Sequence, residues 1–192
     1  MLSLNTLTFV KSANSKENFL KDLPQVCFLG KSNVGKSSLI NALANNKKLV
    51  YVSSTPGRTK LINYFNCQNV GYVVDAPGYG YFKDGALDFE EMMLDYLSLG
   101  PKIIKRVYLL LDSRRKVSED DLEIINLLNK HNLKVSLVFT KVDKLNTQEK
   151  RELLENNKKM FPKAFIYLTS SSKKLGLDEV RRDISNAINE RE

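Results

Sequence analysis

The hydrophobic period of this chain switches back and forth along its length, and that switching most narrows the fold. Apolar runs fall at residues 6–10 (TLTFV), 25–30 (QVCFLG), 61–67 (LINYFNC), 70–75 (VGYVVD), 106–112 (RVYLLLD), 134–140 (KVSLVFT) and 164–170 (AFIYLTS). Between them, residues 36–44, 88–99, 118–130, 147–159 and 177–189 repeat their apolar positions at helical spacing. Strands this continuously apolar need cover on both faces. Strand and helix in alternation imply βαβ units around a mostly parallel sheet. The runs 61–67 and 70–75 are separated only by Gln68 and Asn69, so they read as a hairpin with one antiparallel strand. Ser118 followed by Glu119, Asp120 and Asp121 is a helix start, a cap with acids in the first turn. No repeat, low-complexity tract or linker interrupts the pattern. The expectation is one doubly wound α/β domain over residues 1–192, with helices on both faces and ligands beyond the carboxyl ends of its strands.

Composition removes several classes. Apolar residues make up 42%, which argues against disorder. Cys27 and Cys67 are the only cysteines, both inside apolar runs, and His131 is the only histidine. That set holds neither a zinc site nor a disulfide scaffold, and it suits a reducing compartment. His131 reads as a surface residue at a helix end. No apolar run approaches the roughly 20 residues that span a bilayer. The first residues lack a basic segment followed by an apolar one, so no secretory signal is expected. Lys and Arg number 30 against 22 Asp and Glu, a formal charge of +8. Such a surface favours polyanions, although a soluble lysine-rich protein has the same balance.

The chemistry begins at residues 30–38, GKSNVGKSS, which fit G-x-x-x-x-G-K-[ST] between an apolar strand and a helix. Gly30 and Gly35 let the backbone curl so that its N–H groups face a phosphate. The helix starting near Lys36 adds its positive end. Lys36 would neutralise β- and γ-phosphates, and the Ser37 hydroxyl would ligand Mg²⁺. Lys31, Ser32, Asn33, Val34 and Ser38 complete the cradle. Asp75 closes the neighbouring strand, where a carboxylate holds the metal through water. Ala76, Pro77 and Gly78 follow, and the Gly78 N–H would reach the γ-phosphate.

Base choice rests on TKVD: Thr140, Lys141, Val142 and Asp143. A carboxylate only accepts hydrogen bonds, and guanine offers N1–H and its exocyclic amine side by side. Adenine would leave that carboxylate unpaired, so the site selects guanine. Lys141 would lay its aliphatic stem along the base. STPGRTK (residues 54–60) is a turn-rich loop, in which a Thr that ligands Mg²⁺ only beside a γ-phosphate makes a switch. Thr59 is the leading candidate for that ligand and Thr55 the alternative. LTSSSKK (168–174) follows the last strand and would meet guanine O6 through the amide of Ser170 or Ser171.

These motifs together resemble the translation-factor-like class of P-loop GTPases, and within it the EngB (YihA/YsxC) family. The likeness rests on GKSNVGKSSLINAL, STPGRTKLINYF, DAPGYGY, TKVD and TSSSKKLG and spans nearly the whole chain. The pairing of PGRT with DAPGYGY is its most specific part. The resemblance implies a P-loop NTPase G domain with GTP or GDP and Mg²⁺ bound. It also implies slow GTP hydrolysis and a role in large (50S) ribosomal subunit assembly, with a link to cell division and septation. By position it implies nucleotide contacts from residues 30–37, from Gly57, Arg58, Thr59, Lys60 and Leu61, and from residues 75–78. It adds contacts from residues 140–143 and from Thr169, Ser170 and Ser171. Lys36, Thr59 and Gly78 would serve hydrolysis, and Ser37 and Thr59, with Asp75 through water, the metal. Ser172 stands where an apolar residue is expected.

Tyr79 follows Gly78 where many GTPases have a glutamine that orients the attacking water. Tyrosine has no amide, so slow basal turnover is expected, and Tyr79→Ala should change it little. An Asn33 side-chain oxygen could hold K⁺ beside the phosphates, or it could only bond loop backbone. The expected partner is the large ribosomal subunit and its rRNA, met by Lys102, Lys105 and Arg106, by residues 114–116, by Lys173 and Lys174, and by Arg181 and Arg182. No DNA, no stable membrane association, a monomer and a cytoplasmic location are expected with it. A P-loop kinase would need an Arg-rich lid, for which Arg114–Lys116 alone is available. A membrane-bound division switch would need a basic amphipathic helix, which the sequence lacks.

Overall fold

The computed structural model describes residues 2–50, 61–79 and 87–190, with side chains in the last segment from Glu90 onward. The strands are β1 (Thr8–Ala13), β2 (Gln25–Gly30), β3 (Ile62–Cys67), β4 (Gly71–Asp75), β5 (Ile104–Asp112), β6 (Val135–Thr140) and β7 (Phe165–Leu168). The helices are α1 (Lys36–Leu43), α2 (Leu87–Leu97), α3 (Gly100–Ile103), α4 (Glu119–Lys130), α5 (Thr147–Met160) and α6 (Leu177–Asn189). The strands form one seven-stranded sheet in the order β1-β3-β4-β2-β5-β6-β7. β3 is antiparallel to both of its neighbours, and the other pairings are parallel. The expected mostly parallel sheet with one antiparallel strand is therefore present.

Side chains alternate across the sheet and split the core. Cys27 and Leu29 of β2, with Val107, Leu109 and Leu111 of β5, pack with Met92, Met93, Tyr96, Ile124 and Leu128 on one face. Val26 and Phe28, with Tyr108 and Leu110, pack on the other face against Leu39, Ile40 and Leu43 of α1 and Val180, Ile184 and Ile188 of α6. Each such side chain contributes about 1.5–3 kcal/mol by leaving water. The hairpin between β3 and β4 turns where Gln68 and Asn69 both take positive φ, 53° and 57°, closed by Val70 N–H to Cys67 O at 3.1 Å. That turn matches the twist of the strands it joins. The chain crosses from one side of β2 to the other, leaving β4 and β5 as its neighbours. This is the crevice where an α/β sheet binds ligands.

Several boundaries differ from expectation: β5 begins two residues early, at Ile104, and β7 covers only Phe165–Leu168. β1 begins at Thr8 rather than at residue 6, because Leu4–Thr6 form a 3-10 turn that buries Leu4 and Leu7. The helix expected over 88–99 ends at Leu97, and the separate turn α3 starts at Gly100 (φ +68°) with Pro101 at its start. One expected surface cation is internal. Arg106 is 8% exposed; its Nη1 donates to Asp183 Oδ1 at 2.5 Å, and Tyr108 Oη donates to Asp183 Oδ2 at 2.8 Å. Arg106 also lies over the Phe165 ring, 4.9 Å from its centroid.

Candidate functional site

Four loops at the carboxyl ends of β2, β4, β6 and β7 assemble one site. After β2, Asn33 (φ 64°) and Gly35 (φ 105°) bend the chain back before α1. Leu39 N–H donates to Gly35 O at 2.9 Å. The amides of Gly35, Lys36, Ser37 and Ser38 donate to no group among the described residues. Helix starts leave such donors unpaired, which suits them to an anion. Gly30 is packed tightly, since a Cβ there would lie 2.8 Å from Val34 Cγ1. Lys31 pairs with Asp120 at 2.8 Å.

The segment after β4 is stitched to this loop. Tyr79 N–H donates to Gly30 O at 3.2 Å, and Ser32 N–H donates to Tyr79 O at 3.3 Å. Gly78 runs so close that a Cβ would sit 3.0 Å from Ser32 Oγ. Ala76 and Pro77 are buried beneath it. Asp75 is 2% exposed and ion-paired to Lys36 Nζ. Ser37 is half-buried in the first turn of α1. One hydroxyl and one buried carboxylate are hard oxygen donors too few to cage a metal alone. They fit Mg²⁺, which takes its remaining ligands from phosphates and water.

At the other end, Thr140 Oγ1 is within reach of Val34 O at 2.7 Å and Leu111 O at 3.3 Å, fastening β6 to the glycine-rich loop. Lys141 (φ 60°) donates from Nζ to Asn33 O at 3.0 Å and to Asp112 Oδ2 at 2.9 Å. Asp112 also takes Arg114 Nε at 2.9 Å and Nη2 at 2.7 Å, which holds its carboxyl well below the usual range. Sequence reasoning did not single out Asp112, because Lys141, the partner that ties it to the site, lies 29 positions away on another loop. Asp143 Oδ1 accepts from Ser170 Oγ at 2.6 Å, and this bond lowers the carboxyl's pKa. Val142 N–H reaches Thr169 O at 3.2 Å, and Thr169 N–H reaches Phe139 O at 2.7 Å. Gly35, Ser38, Thr140, Lys141, Asp143, Ser170 and Ser171 line a common pocket of about 510 Å³.

The structure refines three expectations. The Ser170 amide is committed to Leu175 O at 3.1 Å, so of the two candidates for guanine O6 the Ser171 amide remains. Ser172 has a use for its hydroxyl, 3.1 Å from that of Ser170. Tyr79 is 1% exposed and its Oη donates to Asp121 Oδ1 at 2.6 Å, so its side chain points into the interior. A Tyr79→Ala change is therefore a core deletion that costs stability, apart from the small effect on hydrolysis expected of it. Among the remaining sites, Leu61 is exposed just before β3. Thr55, Gly57, Arg58, Thr59 and Lys60 lie outside the described residues.

A family model described as "50S ribosome-binding GTPase" matches residues 25–141. A probable GTP-binding protein EngB of Mycoplasmopsis agalactiae is 43% identical over 182 residues, covering 90% of this chain and 93% of that one. The crystal structure of a probable GTP-binding protein EngB superposes with TM-score 0.68 and 22% identity over 87% of this chain and all of that one (100%). Era, solved with MgGDPNP and nucleotides 1506–1542 of 16S ribosomal RNA, gives TM-score 0.70 and 25% identity. That match covers 88% of this chain but 58% of Era. With the glycine-rich loop and Asp143 lining one pocket and Asp75 ion-paired to the lysine of that loop, the chain belongs to the EngB family of GTP-binding proteins and is a P-loop GTPase.

Proposed function

We propose that this GTPase is a nucleotide-switched factor in assembly of the large (50S) ribosomal subunit, acting in the cytoplasm and needed for normal cell division and septation. The observation that carries the reading is the match of residues 25–141 to a family described as ribosome-binding. The surface supports it. Arg106 is internal and Arg181 is tied to Leu43 O (3.0 Å) and Ala42 O (2.8 Å), yet Lys102, Arg115, Lys116, Lys173, Lys174 and Arg182 stay exposed. Spread over several faces, they suit a large polyanion better than a small ligand.

At the site, the unpaired amides of residues 35–38 would bind the phosphate oxygens. Lys36 would move from Asp75 to the β- and γ-phosphates, releasing the carboxylate. Ser37, and Asp75 through water, would hold Mg²⁺, which would supply positive charge at the phosphate oxygens. Asp143, steadied by Ser170, would take guanine N1–H and the amine, while Lys141 covers the base from the side fixed by Asp112 and Asn33. Gly78 would offer its amide to the γ-phosphate, and Thr59 would close over the metal in the GTP state. With Tyr79 internal, no side chain there orients water, and basal hydrolysis is slow. Asn33, exposed at the lip of the loop, would place K⁺ beside the phosphates. Acceleration by K⁺ over Na⁺ that vanishes in Asn33→Ala is expected; an equal response in both proteins removes the ion from the scheme.

Cosedimentation with isolated large subunits tests the ribosome role. Binding is expected to be stronger with a non-hydrolysable GTP analogue than with GDP, and to weaken steeply with salt because binding releases phosphate counterions, which salt disfavours. No binding at low salt in either nucleotide state overturns it and leaves the GTPase assignment standing.

A further inference from the structure

Tyr79 is the floor of a groove outside the nucleotide pocket. With Leu29 from β2 it underlies walls made by Met93 and Leu97 of α2 and by Ile124 and Leu127 of α4. The groove holds about 250 Å³. At about 30 Å³ per water, that is the room of roughly eight waters, enough for a bulky apolar side chain. Leu94 stands at its lip, 39% exposed.

The rim is acidic, formed by Glu90 of α2 and by Asp120 and Glu123 of α4. Asp120 is engaged by Lys31, whereas Glu90 and Glu123 have no ion-pair partner among the described residues. This opposes the chain's own balance. The formal charge is +8, yet the sequences of α2 and α4 together hold eight of its 22 acidic residues and a single basic one, Lys130. Apolar walls below carboxylates complement a segment that is itself apolar and basic. The same carboxylates repel a nucleic-acid backbone, so this face and the exposed lysines elsewhere select different partners.

We propose that the groove between α2 and α4 docks a lysine- or arginine-rich segment of a partner protein, one apolar side chain filling the groove and the cations meeting Glu90 and Glu123. The site is wired to the nucleotide loop. Tyr79, which lines its floor, is also the residue whose backbone bonds Gly30 and Ser32, so the groove and the phosphate cradle share one residue.

The probe is a fluorescein-labelled synthetic dodecapeptide alternating lysine and leucine, titrated with the full GDP-bound chain at low salt and read by anisotropy. Binding is expected, and it should weaken about tenfold or more in the double variant Glu90→Lys/Glu123→Lys, since opposed charges become like charges. Leu94→Ser should weaken it severalfold, and the same peptide with serine in place of leucine should not bind. Glu152→Lys, which reverses an exposed acid on α5, should leave affinity unchanged. Unaltered GDP affinity in each variant confirms folding. Three results overturn the proposal: no binding by the parent chain, an equal loss in Glu152→Lys, or equal affinity for the serine peptide.

Discussion

Replacing Tyr79 by phenylalanine removes one oxygen and separates two roles that the position could have. In the structure that oxygen donates to Asp121 Oδ1 at 2.6 Å. Asp121 is 8% exposed, and its other oxygen already accepts from Ser118 N–H and Oγ, each at 2.8 Å. Losing the Tyr79 bond leaves Oδ1 of a buried carboxylate unpaired, a cost of roughly 2 kcal/mol. For a chain of this size that is a fall in melting temperature of about 4–8 °C. Tyr79→Ala adds a ring-sized cavity worth a further 3–5 kcal/mol or so, which approaches the whole stability of an ordinary domain. The chain has no tryptophan, so denaturant unfolding is followed by circular dichroism, with single-turnover GTP hydrolysis measured on the same preparations. Tyr79→Phe should unfold earlier at an unchanged denaturant slope and hydrolyse GTP at nearly the parent rate. A fall of about a hundredfold in hydrolysis, the size expected for a group acting in the transition state, with stability intact, would refute the reasoning.

Asp143→Asn should lower GTP affinity by roughly a hundred- to ten-thousandfold, because two charge-assisted bonds of about 1.5–3 kcal/mol each are lost, and should raise affinity for xanthosine triphosphate, whose C2 oxygen accepts from the new amide. Calorimetric titration with both nucleotides checks it, and equal binding of ATP and GTP by the parent chain would contradict it. Ser170→Ala removes the bond that lowers the Asp143 pKa, so the carboxylate protonates at a higher pH and nucleotide binding should fail earlier on acidification; coincident acid limbs for parent and variant would count against that bond. Gly176→Ala places a Cβ 2.0 Å from Leu168 O at φ +66°, so it should destabilise by more than the roughly 1–2 kcal/mol of a left-handed alanine and weaken GDP binding through the displaced Ser170 loop, both read in a melting series with and without GDP. Burial pushes the Cys27 thiol up to about 12 and raises that of Cys67 as well, so at pH 8 neither should label in the native chain while both label in denaturant.

The sequence by itself determined whatever depends on neighbours along the chain. Alternating periods located every strand and major helix, because burying a strand on two faces or a helix on one leaves its mark in consecutive residues. Gln68 and Asn69 marked the hairpin, and Gly35 marked the phosphate loop, because their positive φ is a local backbone requirement. The TKVD stretch was legible for a similar reason, since one carboxylate at a strand end already limits which base it can satisfy. The tertiary structure decided what each side chain meets across the sheet. Arg106 read as a surface cation until Asp183, 77 positions away, proved to be its partner. Tyr79 read as a failed glutamine until Asp121, 42 positions away, drew its ring inward. The Ser170 amide looked available for the base until the loop folded it onto Leu175. The acid-rimmed groove has no signature in either helix alone, since each is an ordinary amphipathic segment. It exists only because β2 places α2 and α4 side by side, and long-range packing, which no local pattern encodes, sets that adjacency.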